Sequence, residues 1–205
     1  MSDKTEEQRV EEIKELWRKY GTYLIALLIL GVGSIFGVRG WLAHQETTLV
    51  SGSSQYQAAL NQGNRGEYSS ALEELAGLRT NHADSPYATL GALLAARLEL
   101  DNGNLGGAQT QLEWAASHGS DRELRDLARV NLARLQRDNG DHEAALATLS
   151  GQESDAFAAF IAEVRGDILH ARGDAEGARN AWTIALDAMP SQELRDILQL
   201  KHDNL

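Results

Sequence analysis

Apolar and polar positions follow three distinct patterns along this chain. In residues 1–20, Val10, Ile13, Leu16, Trp17 and Tyr20 fall on one face of a helix. Glu6, Glu7, Glu11 and Glu12 come early, and Lys14, Arg18 and Lys19 come late, an order that complements a helix dipole. This predicts a short amphipathic helix at a membrane surface. From Gly21 to Val38 follow eighteen residues without a charge, GTYLIALLILGVGSIFGV. At helical rise they span roughly 27 Å, close to the hydrocarbon thickness of a lipid bilayer. Tyr20 and Tyr23 flank one end and Trp41 the other, as interfacial aromatics do. The expectation is a transmembrane anchor over residues 21–40.

Arg39 and Trp41 occupy the stretch where a small-x-small cleavage site would follow the apolar run, so the anchor reads as uncleaved. Lys14, Arg18 and Lys19 precede it closely and only Arg39 follows closely. Positive residues stay cytoplasmic, which puts the N-terminus inside and everything beyond about Gly40 outside. In a Gram-negative cell that is a single-pass inner-membrane protein with a periplasmic body. Gly33 and Gly37 form a small-xxx-small pair within the span, a candidate surface for packing against another membrane helix.

The third pattern fills the body, residues 52–205, after a connector at residues 41–51. Gly66, Gly103, Gly140 and Gly173 are 37, 37 and 33 residues apart. Five residues after each comes an alanine: Ala71, Ala108, Ala145 and Ala178. Four further on comes a large apolar residue: Leu75, Leu112, Leu149 and Trp182. The glycines sit in the turns NRGEY, DNGNL, DNGDH and ARGDA, where they supply a left-handed backbone at the end of one helix. Asn or Asp beside them suits the cap of the next. The alanine allows close helix packing and the large residue fills the space between helices. The prediction is an all-α repeat array, an architecture that usually binds other polypeptides.

This spacing resembles the tetratricopeptide repeat. Residues 159–192 fit best, with Gly166, Gly173, Ala178, Trp182, Ala185 and Pro190 at the motif's positions. Ala96 and Ala133 take the small position in the earlier units, and Pro86 lies three residues late. Units two and three run about 37 residues against the usual 34, so extended inter-repeat turns are expected there. By this resemblance the first helices line a partner-binding groove. Its candidate residues are Tyr56, Leu60, Leu93, Arg97, Val130, Arg134, Arg137, Glu163 and Asp167. The final stretch, SQELRDILQLKHDNL, has Leu194, Ile197, Leu198 and Leu200 at helical spacing and is expected to cap the last repeat.

Charge and chemistry narrow the function class. The net charge is −11. It sits in residues 40–205, with thirteen Lys/Arg against twenty-four Asp/Glu. Such a body repels phosphate backbones, which argues against nucleic acid as a partner. The absence of cysteine excludes disulfides and thiol catalysis. The six histidines are scattered without the i, i+4 spacing of a helical metal site. Gly31-Val32-Gly33-Ser34 lies inside the apolar span and lacks a phosphate-loop lysine, and no G-x-S-x-G elbow occurs. The reading is a protein without catalytic residues, metal or cofactor.

The short tail, single anchor and acidic four-unit body, in that order, resemble the YfgM family. The segments LGVGSIFGVRGW, HADSPYATLGALLAARLEL and LQLKHDNL carry the likeness. The resemblance implies a tetratricopeptide-like periplasmic domain on an inner-membrane anchor. It implies an ancillary subunit of the SecYEG translocon that associates with PpiD, a membrane-anchored periplasmic chaperone, and handles exported polypeptides. An anchored scaffold or adaptor in envelope stress signalling is the other reading left open.

Overall fold

A computed structural model describes residues 14, 17–21, 30, 31, 34, 49–188 and 191–204. The chain divides into two compact units, Met1–Thr48 and Leu49–Leu205. In the first, every described residue is helical, and Ser34 Oγ donates to the Leu30 carbonyl at 2.7 Å. Most of the span read from the sequence, including Gly33 and Gly37, lies outside the described residues. Among the described residues no helix is long and apolar enough to cross a membrane.

The second unit is a run of helices. Residues 49–64 form α1. Then come α2 (Tyr68–Asn81), α3 (Pro86–Asp101), α4 (Leu105–His118), α5 (Arg122–Asp138) and α6 (His142–Leu149). A 3-10 turn at Asp155–Phe157 leads into α7 (Ala158–Ala171), α8 (Ala175–Ala188) and α9 (Gln192–Asp203). Residues 49–51, expected in the connector, already belong to α1. The Ser/Gly cluster there builds helix instead of breaking it. Ser53 and Ser54 return their hydroxyls to the carbonyls of Val50 and Ser51, at 2.9 and 3.0 Å. Gly52 is buried, with Ser85 and Tyr87 3.4 Å from where a Cβ would stand.

The four predicted glycines are the ones with positive φ among the described residues: 78° at Gly66, 77° at Gly103, 86° at Gly140 and 88° at Gly173. Each turn closes through the same pair of bonds. The glycine N–H donates to the carbonyl three residues back, as from Gly103 to Leu100 at 2.9 Å. The next N–H donates five residues back, as from Asn104 to Glu99 at 2.8 Å. This Schellman pattern satisfies carbonyls that the helix end would leave bare. Asn104 and Asp174 also cap the following helices by accepting from the N–H groups of Gly107 and Gly177. Asp141 and Glu67 make no such bond.

Beyond each turn the small-then-large pattern becomes core. Ala71, Ala108, Ala145 and Ala178 are fully buried, and Leu75, Leu112, Leu149 and Trp182 nearly so. Helix pairs pack on their neighbours in chain order, and the first helices α3, α5 and α7 also touch in a row. Gly166 is where α7 meets α8. A Cβ there would stand 2.3 Å from Cδ1 and Nε1 of Trp182.

The extra length of units two and three is distributed unevenly. In unit two it lies in the helices: α3 has 16 residues and α4 has 14, with only residues 119–121 before α5. In unit three α5 has 17 residues, α6 only 8, and an extended connection runs over 150–157. The expectation of extended turns therefore holds after unit three and fails after unit two. The long connection is held by a polar hub. Asp126 of α5 is completely buried. It accepts from the backbone N–H groups of Glu153 at 3.1 Å and Ser154 at 2.7 Å, and from Arg129 at 2.8 Å. Arg125 and Arg129 both grip the Glu153 carboxylate. A buried carboxylate is tolerable when its oxygens are satisfied in this way. The hydrogen bonds from Arg125, and next those from Arg129, hold the Glu153 pKa down from an ordinary 4.5 to about 2.

A Cβ on Gly103 would meet nothing, so Gly103→Ala is strained only through φ. It should cost about 1 kcal/mol, and Gly103→Asn less, in thermal unfolding. Gly166→Ala should cost about 2–3 kcal/mol through overpacking, and most of that penalty should vanish in a Trp182→Leu background. Glu153 is depressed in the folded state, so its stabilisation is complete above pH 4.5 and is lost as pH falls toward 2. A pH series of urea midpoints should show Glu153→Gln with a shallower decline across that window than the unmodified chain.

Candidate polypeptide-binding face

Two neighbouring concave sites lie along the repeats. One is a groove of about 650 Å³ bounded by α3, α4 and α5. Leu93 and Arg97 come from α3 and Arg134 from α5, with Leu100 and Leu105 at the turn between α3 and α4. Leu100 and Leu105 are 38% and 49% exposed, so the groove keeps apolar surface in water. Arg97 is steered along its own helix by Asp101, at 2.9 Å. Asp138 and Asn139 also line it. The lining thus mixes apolar side chains with charges of both signs.

The other site, about 510 Å³, lies where α5, α7, α8 and α9 meet. Asp167 of α7 is its centre. It accepts from Trp182 Nε1 at 3.1 Å, from Arg137 at 3.3 Å and from Lys201 Nζ at 3.0 Å. Glu163, one helical turn earlier, accepts from Lys201 Nζ at 2.9 Å and stands 4.0 Å from Arg134. Gly166, between the two acids, has no side chain because the Trp182 indole fills that space. Burial works against the Lys201 charge. The hydrogen bonds and charges of Glu163 and Asp167 outweigh it, so the Lys201 pKa is raised above its usual value.

The nine residues expected in one groove are therefore distributed. Leu93, Arg97 and Arg134 share the first site. Arg137, Glu163 and Asp167 share the second, joined to the first by Arg134. Tyr56 and Leu60 are half-buried on α1, and Tyr56 packs at 6.2 Å between ring centres on Tyr87, apart from both sites. Val130 is not on the groove surface. It is 2% exposed and packs among Ala145, Leu149, Ile161 and Val164, because α7 lies across that turn of α5. Sequence reasoning missed Lys201, and it expected Leu200 to cover the last repeat, whereas Leu200 lines the second site and stays exposed. The available signal was Leu198-x-x-Lys201, which puts an apolar and a basic side chain on one face of the final helix. Among the described residues no group of three His, Cys, Asp or Glu side chains is placed to hold a metal ion.

The sequence profile of the tetratricopeptide repeat-like domain family matches residues 14–205. The chain is 33% identical to the "Ancillary SecYEG translocon subunit" of Escherichia coli (strain K12), covering 98% of this chain and 96% of that protein. It is 28% identical to the protein of the same name from Haemophilus influenzae, covering 98% and 97%. The like-named protein of Neisseria gonorrhoeae is also 28% identical, over 98% and 97%. Profile and relatives agree across nearly the whole length, and the chain therefore belongs to the tetratricopeptide repeat-like family in which those proteins lie, the YfgM family that its sequence resembles.

Proposed function

We infer that this protein is a non-enzymatic ancillary subunit of the SecYEG translocon. Its repeat body receives exported polypeptides on the periplasmic side, together with a PpiD-like chaperone, and residues 21–40 anchor it in the inner membrane with the N-terminus in the cytoplasm. The observation that carries this reading is the match to relatives of that name over 98% of the chain, which takes in the N-terminal segment as well as the repeats.

The groove supports it on energetic grounds. Leu100 and Leu105 are partly exposed, and covering what remains of them supplies on the order of 1–3 kcal/mol. A micromolar complex needs about 8 kcal/mol. The groove alone therefore holds a chain weakly and releases it quickly, without ATP. Anchoring beside the exit of a translocon compensates, because tethering raises the local concentration of the groove to the millimolar range typical of short linkers.

A photo-crosslinking residue at Arg97 should join the protein to an arrested, translocating polypeptide. The same probe at Asp187, an exposed position on α8, should give at least five-fold less adduct. Equal labelling from both positions, or adducts only with soluble bystanders, would overturn the reading.

A further inference from the structure

The second site is walled on one side by the chain's own last helix, whose Lys201 covers Glu163 and Asp167. α9 places one large side chain in the core, Leu198, which is 1% exposed and packs with Trp182 and Ala162. Lys201 adds a charged contact of the helix with the body, bridging Glu163 and Asp167. The rest of its apolar surface faces water: Leu194, Ile197 and Leu200 are all exposed. Ser191, at the N-cap position, makes no side-chain capping bond. A twelve-residue helix is marginal by itself. Among the described residues, Leu198 and Lys201 help to hold it on the body.

The lysine is also reachable. Its side chain is 34% exposed, while those of Glu163 and Asp167 are 20% and 17% exposed. If Lys201 withdrew, Asp167 would keep Arg137, which also serves Asp138 at 2.7 Å. Among the described residues, Glu163 would keep Arg134, at 4.0 Å. The vacated site would then present a carboxylate short of a cation beside the indole of Trp182. Such a surface calls for a basic group next to an apolar one.

We propose that Glu163, Asp167 and Trp182 form a binding site for a helical segment of a partner polypeptide that carries a lysine three residues after a large apolar side chain, and that α9 is the displaceable internal occupant of that site. The proposal rests on the reading of the repeat body as a polypeptide receptor, and it names the chemistry of what is received. It also makes the receptor self-covering: a partner must outcompete α9, so weakly matching chains are refused.

The probe is a fluorescent synthetic peptide with the sequence of residues 191–205, titrated into the full chain in detergent and followed by anisotropy. Three chains are compared: the unmodified protein, Lys201→Glu, and a form ending at Ser191. Lys201→Glu keeps Leu198 over the core, so the test survives if the shortened form does not fold. Lys201→Glu should bind the peptide at least ten-fold more tightly than the unmodified chain. A peptide with the same Lys→Glu change should lose at least ten-fold, and adding Glu163→Lys to the Lys201→Glu chain should abolish the gain. Equal affinity for unmodified and Lys201→Glu chains, or for the two peptides, overturns the proposal. So does absence of binding by a Lys201→Glu chain of unchanged helical content. Copurification of each chain with the translocon is read in parallel. Association without the gain in peptide affinity defeats this proposal alone, and loss of association by the unmodified chain defeats the proposed function alone.

Discussion

Everything in the repeat body hangs on a backbone reversal with a fixed hand. At Gly66, Gly103, Gly140 and Gly173 the chain passes through positive φ, and two backbone bonds close each helix end. L-residues with a Cβ resist that conformation by about 1–2 kcal/mol. The reversal brings a buried alanine of the second helix against the first, and the leucine or tryptophan one turn later fills the space that remains. Remove the reversal and the small-then-large pattern has nothing to pack against. The groove then also goes, because it is lined by side chains of α3, α4 and α5, whose mutual placement the turns set.

Polar groups add what the apolar repeat does not specify. Asp126 is fully buried, yet it is satisfied by two backbone N–H groups and an arginine. Losing one partner would leave a buried charge uncompensated, which costs far more than an exposed ion pair contributes. The hub thereby holds an irregular connection that a helix would otherwise have to span. At the C-terminal end the balance differs. Lys201, Glu163 and Asp167 are all partly exposed, so that network is closer in strength to a surface contact. One cluster of charges locks a loop, and the other leaves a helix exchangeable.

What could be read from the residues was the local part. A glycine forced into left-handed geometry and an alanine at a close approach both depend on a few neighbouring residues, so the four turns and the core positions after them were legible. Placement across the array was harder. Val130, Arg134 and Arg137 share one helical face by spacing, yet Val130 is covered by α7 and the arginines are not. The difference depends on where the next helix crosses, and spacing within α5 carries no record of that. Lys201 was missed for a similar reason: its partners lie 38 and 34 residues away, on a helix that only the packed fold brings near. The long connection after α6 was foreseen from unit length, whereas the same extra length in unit two went into helix.

The empty space around the four turn glycines has a stereochemical meaning. A Cβ added at Gly66, Gly103, Gly140 or Gly173 meets no atom within 4 Å. The turns therefore demand a handedness and tolerate bulk. A D-alanine fits positive φ without strain, and it narrows the unfolded ensemble that glycine leaves broad. Glycine holds these positions as the achiral member of an alphabet that offers no mirror-image residue, and the repeat's chain reversals are heterochiral sites written in a homochiral code.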